Sequence, residues 1–216
     1  GYWLGEWVQD QIPVVVGRGG VIQRVPDLAK LKHFGAAASS SGGVEMYHLV
    51  GVTPEALTEA QAFGGRKIVE TRVYGERERR EAFDKLNTTG KTRQIDYVML
   101  GCPHYTIDQI RDAARLIEGR KVHANSALWI FTPRQVKALA DRNGYTAIIE
   151  AAGGVIMGDS CSAMSRAVPP GTQAVALDSA KQAHYLPAIL GVQAWFGTTA
   201  ECIDAACTGT WNGSLA

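Results

Sequence analysis

Short apolar runs that alternate with helix-like segments limit the fold of this chain more than any other feature. The predicted strands cover residues 12–16, 46–52, 95–100, 127–131, 153–157 and 174–177. Predicted helices lie between them, at Trp3–Val8, from Thr53–Glu55 to Gly64, and at residues 76–85, 106–117, 133–143 and 198–208. Such alternation favours an α/β fold with a mostly parallel sheet between two helix layers. Sheets of this kind bind ligands beyond the carboxyl ends of their strands, so candidate sites are sought there.

Composition excludes several classes of function. The chain has 216 residues, of which 46% are hydrophobic, enough for one sizeable core or two small ones. Its 22 basic and 21 acidic side chains give a net charge of +1, too little for a nucleic acid partner. No apolar run approaches the ~20 residues of a membrane span, and the first residues lack a secretory signal. We therefore expect a cytoplasmic protein with no membrane partner.

The charged segment from Thr71 to Gln94 is the best candidate for a domain boundary. Its ERERREAFDK stretch pairs opposite charges four residues apart, as in Glu76 with Arg80, which is typical of a solvated helix face. We expect a first lobe at residues 1–70 and a second lobe at residues 71–216.

Cys102 lies in LGCPHYT, two residues beyond a predicted strand and just before a predicted helix. Thr106 and Gln109 have the spacing of a capping box, so the first amides of that helix should point back toward Cys102 and favour its thiolate. The residues alone leave three roles open for this cysteine: core packing, a nucleophile beside His104, or a metal ligand.

Cys161 and Cys202 have comparable surroundings. Cys161 follows an apolar run in GGVIMGDSCS, and Cys202 falls in the first turn of a helix whose capping box is Thr198 with Glu201. Cys207 lies next to Ala206 on the apolar face of that helix, so we expect it in the core. The spacing of the other three fits no zinc-finger or ferredoxin pattern.

Five motifs in order carry a family resemblance. They are SSSGGVEMYHLVGVTPEA, LGCPHYT, IEAAGGVIMGDSC, LDSAKQAHYLP and GTTAECIDAACTG, between residues 39 and 209. Together they resemble the large subunit or large domain of aconitase X, an iron–sulfur hydro-lyase branch of the aconitase superfamily. The resemblance implies an aconitase-like three-layer α/β/α fold. Because family large subunits are longer than this chain, it also implies an incomplete large domain.

The resemblance also implies a chemistry and a ligand set. Cys102, Cys161 and Cys202 would hold an iron–sulfur cluster ([2Fe-2S] or [4Fe-4S]) or a mononuclear iron, with one iron position open to a small hydroxy acid. The expected reaction is dehydration of cis-3-hydroxy-L-proline to an enamine that becomes a cyclic imine, 1-pyrroline-2-carboxylate. Dehydration of mevalonate 5-phosphate is the alternative, and a non-catalytic or zinc-binding structural piece is the alternative of another class. A small swivelling subunit or domain is the expected partner.

Further site residues are expected in the same motifs. Substrate binding is predicted for Ser39, Ser40 and Ser41, in a donor-rich loop that could equally be a simple turn, and for His48 within its strand. Asp178 and Ser179 follow the strand at residues 174–177 and are predicted to bind substrate there. Lys181 and His184 are three residues apart and would share one face of a helix. With His104 they are the predicted catalytic residues, although ordinary surface exposure explains Lys181 equally well.

Overall fold

The computed structural model describes residues 1–214 and shows two compact units, Gly1–Ala82 and Phe83–Ala216. The division falls later than the predicted end of the first lobe at residue 70. Residues beyond 70 pack on the first helix: the Arg72 guanidinium lies over the Trp7 ring at 5.2 Å, and the Tyr74 ring lies 5.5 Å from that of Trp3. The first half of the charged segment, residues 71–82, therefore belongs to the first unit.

The first unit contains a small parallel sheet and four helices, the last of which continues into the second unit. Its elements are α1 (Tyr2–Val8), β1 (Val14–Val15), α2 (Leu28–Gly42), β2 (His48–Leu49), α3 (Glu59–Phe63) and α4 (Glu76–Leu86). β1 pairs with β2, so both predicted strands exist but are short. The helix expected from Thr53 begins only at Glu59, where Thr58 and Gln61 form a capping box. Residues 53–56 instead form a turn closed by the bond from Ala56 N to Thr53 O.

The SSSGG stretch is not a loop, which corrects the basis of its predicted role. Residues 39–42 are the last turn of α2, and the helix ends at Gly43, whose φ is 72°. The Ser40 hydroxyl donates to Ala36 O at 2.7 Å, and the Ser41 hydroxyl donates to Tyr2 O at 2.7 Å. A helix C-terminus presents carbonyl oxygens, so this end of α2 is not a cradle of amides for an anion. The substrate-binding role of Ser39, Ser40 and Ser41 stays a prediction without that support.

Two glycines let α1 and α2 approach closely. A Cβ atom on Gly42 would lie 1.8 Å from Gly5 O, and one on Gly5 would lie 2.3 Å from Ala38 O. Both contacts involve backbone atoms, which cannot rotate away as a flexible side chain can.

We expect Gly42→Ala to lower the free energy of unfolding by about 2 kcal/mol, because α1 must move away from α2. Gly35→Ala in the same helix is the matched control. Its Cβ would meet only side-chain atoms of Tyr47, the nearest of them the hydroxyl at 3.4 Å, and alanine favours the helix by about 1 kcal/mol. Urea unfolding of both variants measures the difference, and equal effects would contradict the close-approach explanation.

The second unit is built on a five-stranded sheet in which every pair of neighbouring strands is parallel. Its strand order is β5-β4-β3-β6-β7, which confirms the predicted α/β class. After the end of α4 its elements are β3 (Tyr97–Leu100), α5 (Ile107–Ile117), β4 (Ala127–Thr132), α6 (Arg134–Arg142), α7 (Tyr145–Ala151), β5 (Val155–Gly158), α8 (Ser162–Ser165), β6 (Ala174–Leu177), α9 (Ala180–Leu190), β7 (Gln193–Phe196) and α10 (Thr199–Thr208).

The sheet buries both of its faces. Val98 and Leu100 of β3 join one core cluster with buried residues of α5, α7 and α10. Because side chains alternate along a strand, Tyr97 and Met99 point to the opposite face, where they are also buried. Helix α9 follows β6 and packs against β7. This arrangement explains why the strands read as nearly continuous apolar runs.

β3 is the first strand of the sheet in sequence and its central strand in space. The chain builds outward from β3 through β4 to β5, and then returns to the other side of β3 with β6 and β7. The strand order therefore reverses between β3 and β6, and ligands of doubly wound sheets bind beyond the carboxyl ends of the strands at this point. None of the helices within residues 1–214 is both long and apolar enough to cross a membrane.

Candidate functional site

The loop that carries Cys102 leaves β3 at a sharply constrained position. Gly101 has a φ of 94°, and a Cβ atom there would lie 2.1 Å from Phe131 O. The loop is then tied to β4 by the bond from Tyr105 N to Phe131 O at 2.9 Å and by the Thr132 hydroxyl, which donates to Tyr105 O at 2.7 Å. The backbone on both sides of Cys102 is thus held against the neighbouring strand.

The loop that carries Cys161 follows β5 and is held on both sides of the cysteine. His104 Nε2 donates to Ser160 O at 2.7 Å, and the hydroxyls of Ser162 and Tyr97 share a hydrogen bond of 2.8 Å. Residues of β3 and of the Cys102 loop therefore hold the Cys161 loop in place. His104, predicted as catalytic, uses one ring nitrogen for this structural contact.

Gln182 brings the two thiols together. It lies in the first turn of α9, where its backbone N–H donates to the Ser179 side chain at 3.2 Å. Its side-chain Nε2 donates to Cys102 Sγ at 2.9 Å and approaches Cys161 Sγ at 3.8 Å. Since one nitrogen reaches both sulfur atoms, the ends of β3 and β5 converge with the start of α9. Cys102 follows β3 and Gln182 follows β6, so this convergence lies where the strand order reverses.

The protonation of Cys102 is set mainly by burial, contrary to the expectation from its place before a helix. Burial raises the pKa of the Cys102 thiol, and hydrogen bonds from Gln182 and Ser179 lower it only in part. The Lys181 charge also lowers this pKa, which places its ammonium group within electrostatic range of Cys102. The amides of α5 do not overcome the cost of burying a charged sulfur.

The structure does not bring Cys202 to the other two cysteines. Its side chain is fully buried in the core cluster with Ala205 and Ala206, and burial raises the pKa of its thiol well above the usual value. Within residues 1–214, no group of three or more Cys, His, Asp or Glu side chains is arranged to hold a metal ion. The role of Cys202 as a third ligand stays a prediction that this arrangement does not support.

The expected core position of Cys207 holds only in part. Cys202 shares a helix face with residues three and four positions later, and this face packs inward. Cys207 lies at the edge of the same cluster and is only partly buried. The apolar neighbours of Cys207 in the sequence led us to expect Cys207, rather than Cys202, in the core.

Asp178 follows the end of β6, as predicted, and belongs to a partly buried hydrogen-bond network. Its Oδ2 accepts hydrogen bonds from the Tyr105 hydroxyl and, at 2.8 Å, from the Thr199 hydroxyl. Burial raises the pKa of Tyr105 well above its usual value, and the Asp178 charge adds to this shift. The network joins the Cys102 loop to the starts of α9 and α10. The substrate-binding role of Asp178 stays a prediction.

The remaining predicted site residues are spread over the surface of α9, its N-cap and the first unit. Lys181 and His184 are exposed on α9, whose helical state is now shown, and the His184 ring lies edge-on to Tyr185 at 4.9 Å. Ser179 is buried as the N-cap of α9. His48 belongs to the first unit, where its Nδ1 donates to Glu55 Oε1 at 2.7 Å.

Sequence reasoning misses Gln182, Tyr97 and Ser162. A signal exists for Gln182, because Ser179 with Gln182 has the spacing of a capping box. That signal predicts a side chain that turns back to the N-cap amide, whereas this one turns to the thiols. Nothing in the sequence pairs Tyr97 with Ser162, which are 65 residues apart.

The donor chemistry of the pair suits a thiophilic metal. Two cysteine sulfur atoms at one point are ligands that iron–sulfur clusters, iron and zinc accept. The residues therefore fit such a group in part: Cys102 and Cys161 are placed for it and Cys202 is not.

Comparisons with known proteins agree with this architecture. The aconitase X second domain matches residues 1–84 and the aconitase X third domain matches residues 95–208. A cis-3-hydroxy-L-proline dehydratase of Pseudomonas aeruginosa is 41% identical over 97% of this chain and 36% of its own length. A phosphomevalonate dehydratase large subunit of Methanocaldococcus jannaschii is 34% identical over 94% of this chain and 48% of its own length.

The crystal structure of Thermococcus kodakaraensis aconitase X in its holo form superposes with a TM-score of 0.76 at 27% identity. The match covers 95% of this chain and 50% of that one. The chain thus spans between about a third and a half of the length of these relatives. With both of its units matched by successive domains of one family, the chain belongs to the aconitase X family.

Proposed function

We propose that this chain is the cysteine-bearing part of a dehydratase that removes water from cis-3-hydroxy-L-proline. The observation that carries the proposal is the convergence of Cys102 and Cys161 on Gln182 where the order of the strands reverses. The name of the Pseudomonas relative supports the substrate. The product would be an enamine that rearranges to the cyclic imine 1-pyrroline-2-carboxylate.

The proposed cofactor is an iron–sulfur cluster or a mononuclear iron held by Cys102 and Cys161. A bound iron supplies a Lewis acid for the departing hydroxyl group. Two thiols do not complete the coordination of such a group, so its other ligands come from outside this pair. The family membership and the soft donor set support this assignment.

In this proposal the residues around the thiols bind the substrate and orient the Cys161 loop. The exposed Lys181 at the start of α9, together with the positive end of that helix, attracts the substrate carboxylate. His184 lies one turn further along the same helix and is likewise exposed, and its catalytic role stays a prediction. His104 fixes the Cys161 loop through Ser160 O, so its Nε2 positions the site rather than transferring a proton. His48 and Ser39, Ser40 and Ser41 stay predicted contacts.

A small swivelling subunit or domain is the proposed partner. This chain spans 48% of a relative that is itself named a large subunit, which supports the need for further protein. A cytoplasmic location stays a prediction.

Mevalonate 5-phosphate is the second candidate substrate, because relatives between 29% and 34% identical are named phosphomevalonate dehydratase large subunits. A phosphate would use the same positive surface at Lys181. The weaker similarity to these relatives places this substrate second.

The test is a direct assay of both substrates. The full-length protein, with its small partner added and its iron centre reconstituted anaerobically, is incubated with cis-3-hydroxy-L-proline and separately with mevalonate 5-phosphate. We expect dehydration of the first, detected by borohydride reduction of the cyclic imine to proline. trans-3-Hydroxy-L-proline is the stereochemical control. Dehydration of mevalonate 5-phosphate alone would replace the proposed substrate, and no dehydration of either would refute the proposed activity.

A further inference from the structure

The first turn of α9 departs from a pattern that three other helices of this chain share. In α3, α5 and α10 the side chain at the third helical position turns back and accepts a hydrogen bond from the backbone N–H of the N-cap residue. Gln182 holds the same position in α9, after the N-cap Ser179, and its own N–H bonds to that cap. Its side chain instead reaches Cys102 Sγ at 2.9 Å.

Because Gln182 is buried, this orientation of its side chain costs folding free energy. Gln182 is 2% exposed, and its Oε1 is a buried atom that finds no hydrogen-bond partner among the described residues. A buried amide oxygen without a partner costs free energy, and an apolar side chain of similar size would avoid that cost. The side-chain amide thus points into the thiol site. Its Nε2 donates to sulfur, and its Oε1 can accept a hydrogen bond from a ligand that binds there.

We propose that Gln182 is the positioning residue of the thiol pair. Its amide N–H groups hold Cys102 and Cys161 at one point, so that both sulfur atoms can bind the same soft metal centre. The inference builds on the proposed role of these two thiols and adds the residue that orients them. The hydrogen bond from this amide to Cys102 Sγ also lowers the pKa of that thiol against the larger effect of burial, which favours its ligand form.

Cadmium titration of the full chain tests this without any catalytic reaction. Cd²⁺ prefers thiolate ligands, and its thiolate charge-transfer band in the ultraviolet reports binding directly. We expect the parent chain to show this band and Cys102→Ser and Cys161→Ser to lose most of it. Gln182→Leu should keep both cysteines but bind Cd²⁺ about tenfold or more weakly, the usual effect of removing a residue that orients metal ligands.

Gln109→Leu is the matched control, because Gln109 holds the same helical position in α5 but makes a capping box. We expect its cadmium affinity to be unchanged. Gln182→Asn is the second variant, since it keeps an amide but is one methylene shorter, so that the amide falls short of the two sulfur atoms. It should also bind Cd²⁺ more weakly, and it decides the question if the leucine variant does not fold.

Parent affinity in a folded Gln182→Leu or Gln182→Asn variant would overturn the inference. An equal loss in the Gln109 variant would also overturn it, since the effect would then be one of helix capping. Failure of the parent chain to show the charge-transfer band would refute the thiol pair itself. A negative dehydration assay, by contrast, would refute the proposed reaction and leave the cadmium result standing.

Discussion

Gly101→Ala is expected to lower the free energy of unfolding by about 3 kcal/mol or more, because two costs add. The φ of 94° strains any residue that has a Cβ atom, and that atom would lie 2.1 Å from Phe131 O and 2.8 Å from Phe131 N. Relief requires that β3 and β4 separate at the position where the Cys102 loop begins. Urea unfolding followed by circular dichroism measures the change, and metal binding by the Cys102 and Cys161 pair should fall with it.

Gly119→Ala is the control for the backbone conformation alone. Gly119 also has a positive φ, 74°, but a Cβ atom there would have nothing within 4 Å. We expect a loss of about 1 kcal/mol, the ordinary cost of a left-handed conformation. If the two alanine variants lose the same free energy of unfolding, the contact with Phe131 does not explain the requirement for glycine at position 101.

Cys102→Ser and Cys161→Ser are expected to abolish the visible absorbance of protein reconstituted with iron and sulfide. A serine hydroxyl is a poor substitute for thiolate in an iron–sulfur site, so each change removes a ligand. Cys207→Ser should retain the absorbance, because that side chain lies away from the pair at the edge of the core cluster. Spectra recorded under anaerobic conditions make the comparison.

A Cys202 variant distinguishes the two-cysteine arrangement of the structure from the expected three-cysteine set. Cys202→Ala should retain the absorbance and lower the free energy of unfolding by about 1 kcal/mol, as expected for a small cavity in a packed core. If a folded Cys202→Ala variant instead loses the absorbance as fully as Cys102→Ser does, the three-cysteine set is correct.

Much of the fold is predictable from the sequence because the signals are local. The strands from β3 to β6 are apolar runs, and the capping boxes at Thr106 and Thr198 are confirmed at the predicted residues. Helix α2 is missed because its serines and glycines favour turns when taken alone. Its Asp27 cap and the contact of Ser41 with α1 override that preference.

The site is less predictable because it depends on which loops meet. Helix periodicity places Cys202 and Cys207 on different faces, yet it cannot say which face packs against the sheet. Cys102 and Cys161 lie beyond strands at positions three and one of the sheet order, and only tertiary contacts bring their loops together. An amide such as Gln182 carries no sequence signal for contact with sulfur.

The central position of β3 has a consequence for synthesis on the ribosome. Cys102 follows the first strand of the sheet, while Gln182 comes 80 residues later and Cys161 only 21 residues before Gln182. At about 5–20 residues per second, the nascent chain carries Cys102 for several seconds before α9 exists. During that interval its thiol is open to oxidants and to stray metal ions. Translation speed between β3 and α9 therefore sets how long the unassembled site is exposed in each new molecule.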